Sequence, residues 1–243
     1  MAELGHLWVV RHGESVGNVA ASHAEATGVE LIDLADRDAD VPLSPLGREQ
    51  AEATGRWLAG LPEPLRPEVA IVSPYRRTAQ TAELALAGIG VPASYDERLR
   101  DRELGILDLL TSSGAQARHP EEMTRRRRLG KFYYRPPGGE SWADVTLRLR
   151  SLLGDLRRDH AGRRVILFGH EAVVLLLRYL VEGLDEAGLM KVARSSAVAN
   201  CSISGWANDG HGSLRLDTFN DVAHLERQST PPTEEDDVSA EPV

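Results

Sequence analysis

The chain has 243 residues, 42% of them hydrophobic, enough for one well-buried core, and a formal charge of −9. Glu226, Glu234, Glu235, Asp236, Asp237 and Glu241 against Arg227 give the last stretch −5 and leave −4 for the body; a mildly acidic body argues against a nucleic-acid binder, which needs a basic face. Cys201 is the only cysteine, which excludes an intramolecular disulfide and a thiolate metal cluster.

The chain starts without a basic segment followed by an apolar signal core, and nowhere do about 18 apolar residues run together, so a soluble cytoplasmic protein without membrane association is expected. The first apolar run, Leu7-Trp8-Val9-Val10, stops at Arg11-His12-Gly13. Ser44 as cap with Pro45 in the first turn predicts a helix to about Leu61. Val69-Ala70-Ile71-Val72 stops at Ser73-Pro74 and precedes a helical pattern over residues 75–86. Residues 102–139 break the alternation, with Arg118, Arg125, Arg126, Arg127, Arg128, Lys131 and Arg135 against only Glu121 and Glu122 within residues 118–135, and the stretch is expected to form an inserted cap over one end of the sheet. The run Arg125 to Arg128 suits either a solvated helix face or anion steering.

In residues 141–160 Trp142, Val145, Leu149, Leu152 and Leu156 recur at helical steps, with Ser141 and Asp144 as the capping pair. Val165-Ile166-Leu167-Phe168 ends at Gly169-His170, and residues 172–181, apolar nearly all round, read as a buried helix. Residues 201–207 and 213–219 around Asn208-Asp209-Gly210-His211-Gly212 read as an edge hairpin. Short apolar runs bounded by turn residues suit strands buried on both faces. Alternating with helices, they predict an α/β three-layer sandwich with a mostly parallel central sheet and helices on both faces. Residues 1–225 are expected to form one catalytic domain and residues 226–243, rich in Pro, Ser, Thr and acid, a disordered acidic tail.

Each apolar run delivers polar residues just past its end: Arg11 and His12, then Arg76 and Arg77, then His170. Ligands of open parallel sheets sit in the crevice beyond the carboxyl ends of the strands. Five cationic or cationisable groups converging there, without intervening acids, call for an anionic guest such as a phosphoryl group. No spacing of His170, Glu171 and Val174 or of the other histidines suits a metal, and no cofactor is expected.

Arg11-His12-Gly13-Glu14-Ser15 with Asn18, Leu43-Ser44-Pro45-Leu46-Gly47, Ser73 to Thr81 around Arg76-Arg77, Pro137-Gly138-Gly139-Glu140-Ser141 and Gly169-His170 together resemble the ordered landmarks of the histidine phosphatase superfamily, phosphoglycerate mutase-like, over about residues 6–220. The resemblance implies a metal-independent phosphomonoester hydrolase acting on a small phosphorylated metabolite. It implies that His12 is the residue phosphorylated and that Arg11, Arg77 and a protonated His170 bind the phosphoryl oxygens with help from Asn18. The acid position of the family falls on Asp101, one methylene shorter than the usual glutamate, with Glu103 as the alternative. Glu171 stands where the family has glycine; its carboxylate either suits the helix N-terminus or weakens phosphate binding. Around residues 135–141 the chain looks more like the fructose-2,6-bisphosphatase type than the mutase type. A mutase-type phosphoryl transfer and an inactive phosphate- or phosphoprotein-binding module are the alternatives. Substrate identity and oligomeric state are left open.

Overall fold

A computed structural model describes residues 3–195 and 197–234. The central sheet has six strands: β1 (His6–Arg11), β2 (Val69–Val72), β3 (Ala93–Tyr95), β4 (Arg164–Gly169), β5 (Ile203–Asn208) and β6 (Leu214–Asp221), in the order β3-β2-β4-β1-β5-β6. The first four in that order run parallel, and β5 and β6 close one side as the antiparallel hairpin. Strand β3, three exposed residues, is the one without an apolar run to announce it.

Period-two alternation on the strands builds two cores. Leu7, Val9, Val165 and Leu167 face one side, where they meet helices α6 (Trp142–Asp159) and α7 (Glu171–Glu182) through Leu149, Leu152, Val173 and Leu177. Trp8, Val10, Ile166 and Phe168 face the other, against Leu58 of α2 (Pro45–Gly60) and Ala82 and Leu86 of α3 (Arg76–Leu86). The result is the expected three-layer α/β sandwich.

Local signals set the helix starts. Ser15 caps α1 (Val16–Thr27) in a capping box with Asn18, and Gly28, at φ +70°, ends it. Ser44 accepts from the Gly47 N–H, and Ser141 pairs reciprocally with Asp144. Between β3 and α6 lie α4 (Ser112–Arg118) and α5 (Pro120–Leu129), which with Leu107 and Tyr134 enclose a small satellite core around Ala115 and Met123. The run Arg125 to Arg128 lies on α5, where Arg125 pairs with Glu122 and Arg127 bonds Gln116 and Thr124. Helix α8 (Glu186–Ser195) follows α7, and α9 (Ala223–Glu226) follows β6.

The chain beyond residue 225 differs from the expected tail. Leu225 and His224 are buried, and Gln228, Pro231 and Thr233 hydrogen-bond to residues of α2. Polar side chains and backbone groups supply this attachment, so hydrophobic periodicity carries no trace of it. The rest of the acidic stretch, residues 235–243, lies outside the described residues.

Candidate active site

Register fixes the geometry. Val10 lies beside Phe168 and Phe168 beside Val72, so three parallel strands end on one line. His12, Ser73 and His170 follow at once, and His12 joins Arg11, Asn18, Arg77, Asp101 and Glu171 among the walls of a cavity of about 350 Å³.

The His12 loop is locked. Its N–H donates to the Gly169 carbonyl at 3.0 Å, and the Gly13 N–H donates to Thr81 Oγ1 at 3.0 Å. A Cβ on Gly13 would sit 2.4 Å from the Gly47 carbonyl oxygen, which explains the glycine at both positions: loop and helix α2 touch backbone to backbone. Ser44 donates to Glu14 at 2.5 Å, joining the same two segments.

His12 is buried, and its Nδ1 lies 2.8 Å from the Gly13 carbonyl oxygen. A carbonyl only accepts, so Nδ1 carries the proton and Nε2 the lone pair. Arg77 Nε donates to that Nε2 at 3.2 Å. Burial, and then the charges of Arg77, His170 and Arg11, push His12 well below its ordinary pKa, so the ring is neutral.

Arg77, almost fully buried, also binds two carboxylates: Nη1 donates to Asp38 at 2.8 Å and Nη2 to Asp101 at 3.1 Å. The cationic cluster is therefore not free of acids, contrary to the sequence expectation. Asp38, which opens a single 3-10 turn (Asp38–Asp40) before α2, carried no sequence signal. Burial raises its carboxyl, opposed by Arg77 and reinforced by Asp101. Burial alone would raise Asp101 too, but the charges of His170 and Arg77 hold it well below the usual carboxylate range.

His170 Nε2 lies 2.8 Å from Ser73 Oγ, while Nδ1 lies 3.2 Å from Asp101 Oδ2 as a charge contact. Burial holds this ring below its ordinary pKa against the pull of Asp101. A dianion beside the ring would draw the pKa upward.

Arg11, 1% exposed, lines the cavity and donates from Nη1 to the Val198 carbonyl. Asn18 uses Oδ1 to accept from the Ser15 N–H at 2.8 Å and from Asn200 at 3.4 Å, which turns a donor rather than an acceptor the other way. Arg76 departs from the expected convergence. It is exposed, directs Nη1 to the Asp40 carbonyl and does not line the cavity, because the turn of α3 places neighbouring residues on different faces. Glu103 lines the outer cavity and accepts from the Tyr75 hydroxyl at 3.1 Å. Glu171 begins α7 and accepts from the Val198 N–H at 3.2 Å, joining the helix start to the segment that Arg11 also holds.

Residues beyond the motifs position Asp101. Arg148 donates to the carbonyls of Arg98, Arg100 and Asp101 and pairs with Glu140 at 3.1 Å, so the Glu140 of the glycine-rich landmark anchors the Asp101 loop through α6. The segment 102–139 brings Arg102 and Lys131 to the cavity, Lys131 lying 4.7 Å from the centre of the Trp142 ring. His12, Asp101 and His170 each present a ligand atom within 4.8 Å of one another, the one group among the described residues with the makings of a metal site. A cation there would meet the Arg77 guanidinium already bonded to two of the three.

A buried neutral histidine bonded by Arg77 and facing the charge of Arg11 at the carboxyl edge of this sheet is a phosphoryl-transfer arrangement, and the chain belongs to the histidine phosphatase superfamily, branch 1, whose family model matches residues 7–222. It is 30% identical over 191 residues to 2,3-bisphosphoglycerate-dependent phosphoglycerate mutase 2 of Gloeobacter violaceus, covering 76% of this chain and 80% of that one. It is 29% identical to the Gallus gallus 6-phosphofructo-2-kinase/fructose-2,6-bisphosphatase over 74% of this chain, and spans 33% of that relative's length. Among solved structures, a mycobacterial glucosyl-3-phosphoglycerate phosphatase with inorganic phosphate matches with a TM-score of 0.69 at 26% identity, over 90% of this chain and 98% of that one. The α-ribazole phosphatase of Shigella flexneri, at 20% identity and a TM-score of 0.70 over 89% of this chain and 96% of its own, shares the fold. Among the described residues no helix is long and apolar enough to cross a membrane.

Proposed function

We propose that the chain is a cytoplasmic, metal-independent phosphomonoester hydrolase that works through phosphohistidine at His12 on a small phosphorylated metabolite, with residues 1–225 as the catalytic domain and 102–139 as its cap. The observation that carries this reading is the state of His12: Nδ1 is held by the Gly13 carbonyl and Nε2 is turned to Arg77, so a neutral lone pair and a fixed cation occupy the same spot.

In this mechanism Nε2 attacks phosphorus in line as the ester bond breaks. Arg11, Arg77 and His170, with Asn18, bind the equatorial oxygens, supplying the positive charge that many phosphoryl-transfer sites take from metal ions. Asp101 protonates the leaving oxygen. Its carboxyl is held low by Arg77 and His170, and a bound dianion that engages both of them raises it toward protonation. Water then attacks phosphohistidine, with Asp101 taking the water proton, and phosphate leaves. Glu103, exposed and bound to Tyr75, is the alternative acid.

The similarity to a bisphosphoglycerate-dependent mutase favours a second reading, in which the phosphoryl group returns to an acceptor instead of water. Phosphate release from p-nitrophenyl phosphate and a panel of phosphorylated metabolites separates the two. Hydrolysis proceeds without a bisphosphorylated primer and survives chelation, whereas a mutase needs the primer and releases little phosphate. Full activity in His12→Ala overturns the nucleophile assignment. An intact protein that never forms phosphohistidine with any of these substrates is instead a phosphate-binding module.

A further inference from the structure

Behind the His12 loop, on the side away from the cavity, two buried amides are each shared between that loop and the C-terminal segment. Gln50 of α2 accepts from the Glu14 N–H through Oε1 at 2.9 Å and donates through Nε2 to the Pro231 carbonyl and to Thr233 Oγ1, both at 3.0 Å. Asn200 donates through Nδ2 to the His12 carbonyl at 3.0 Å and accepts through Oδ1 from the Thr233 hydroxyl at 2.9 Å. The strap is closed by backbone as well, the Asn200 N–H donating to the Thr233 carbonyl at 2.8 Å.

An amide has a donor end and an acceptor end, so what binds one end decides what the other offers. The His12 carbonyl accepts from the Cys201 N–H at 3.3 Å and from Asn200 Nδ2; in donating there Asn200 turns Oδ1 outward, and that oxygen needs a donor. Accepting from the Glu14 N–H, Gln50 turns Nε2 outward, where the Pro231 carbonyl and the Thr233 hydroxyl both accept from it. The Thr233 hydroxyl supplies both at once, donating to Asn200 and accepting from Gln50. Gln50 and Asn200 are 0% and 1% exposed, so water cannot readily replace it. Burial of Leu225 and Thr230, and the Gln228 bond to the Ala53 carbonyl at 3.0 Å, lead the chain to this point.

We infer that Thr233 is a positioning residue for the nucleophile: its hydroxyl fixes the orientation of Gln50 and Asn200, and through them the backbone of His12 and Glu14. The inference rests on the reading of His12 as nucleophile. Losing the hydroxyl leaves Asn200 Oδ1 buried without its donor or lets the amide turn, which sets oxygen against the His12 carbonyl. The His12 ring, held by its own loop through the Gly13 carbonyl, then loses its fixed aim.

The test uses the full chain with Thr233→Val and Thr233→Ser, assayed on p-nitrophenyl phosphate beside His12→Ala. Thr233→Val is expected to lower kcat about 3- to 10-fold with KM within about twofold, while Thr233→Ser stays near wild type. Amide hydrogen exchange at Gly13 and Glu14 is expected to quicken in Thr233→Val and recover in Thr233→Ser. Wild-type kcat in Thr233→Val, in an assay where His12→Ala is inactive, overturns the strap but leaves the nucleophile standing. Equal loss in Val and Ser variants overturns it too, since shape rather than the hydroxyl would then matter. If His12→Ala stays active the nucleophile reading fails, and the exchange rates alone decide whether Thr233 fixes the loop: no difference between Thr233→Val and wild type overturns the strap.

Discussion

Arg77 gives its Nε to His12 and its Nη1 to Asp38, so the side chain best placed to grip a phosphoryl group is already bound to a carboxylate of its own chain. An incoming dianion must take that donor from Asp38 and tolerate the nearby charge. Asp38→Asn removes the competing charge and is expected to lower KM for a phosphomonoester about threefold or more, read from initial rates across substrate concentration. A raised KM would show that Asp38 instead holds Arg77 in its working orientation.

Lysine cannot reproduce the Arg77 geometry, in which one planar group addresses His12, Asp38 and Asp101 from three nitrogens. Arg77→Lys keeps the charge and loses the fork. It is expected to lower kcat/KM about 100-fold or more on any phosphomonoester. Circular dichroism of the variant, unchanged from wild type, would place the loss in the site.

The acid is tested by leaving group. Asp101→Asn cannot protonate a departing alkoxide, so kcat is expected to fall about 100-fold on alkyl phosphates but far less on p-nitrophenyl phosphate, whose phenolate leaves unaided. Glu103→Gln is expected to change neither, since its carboxylate is engaged by Tyr75 at the cavity mouth. The reverse pattern would transfer the role to Glu103.

Acid stability is set in part by histidines buried neutral. Burial lowers His224 to about 4, and lowers His6 to about 4 as well. Below about pH 6.5 the unfolded chain takes up protons that the folded one refuses, so stability falls as pH drops from 6.5 to 4 and levels off for these groups below that. The His224 share is about 1–3 kcal/mol. Urea unfolding at pH 7.5 and 4.5 is expected to show a smaller pH-dependent loss in His224→Phe than in wild type; an equal loss would assign the effect elsewhere.

Sheet and site differ in how far they could be seen from the residues. Runs such as Leu7 to Val10 and Val165 to Phe168 carry their own burial in their composition, and Ser44, Pro45, Ser141 and Asp144 mark helix starts locally. His12, Arg77 and His170 were legible because each sits at the end of such a signal. Asp38 sits in a segment with no periodicity, and its meeting with Arg77 is made by the path of a loop. Asn200 is a polar residue in a turn and Thr233 one in a segment without regular structure, and the bond from Gln50 to Thr233 spans 183 positions. Such pairings follow from the folded path and leave no mark in a window of sequence. Arg76 shows the converse: its position beside Arg77 suggested a shared role that helical geometry forbids.

Strand β1 serves both hydrophobic layers, Leu7 and Val9 on one side and Trp8 and Val10 on the other, and ends one residue before His12. Slipping it by a single position would exchange the two sets and swing the imidazole to the opposite face of the sheet. The aim of His12 is thus inherited from the parity of the strand: an insertion or deletion of one residue within β1 would misdirect the imidazole and unpair the core in the same stroke, and the two cannot be altered separately.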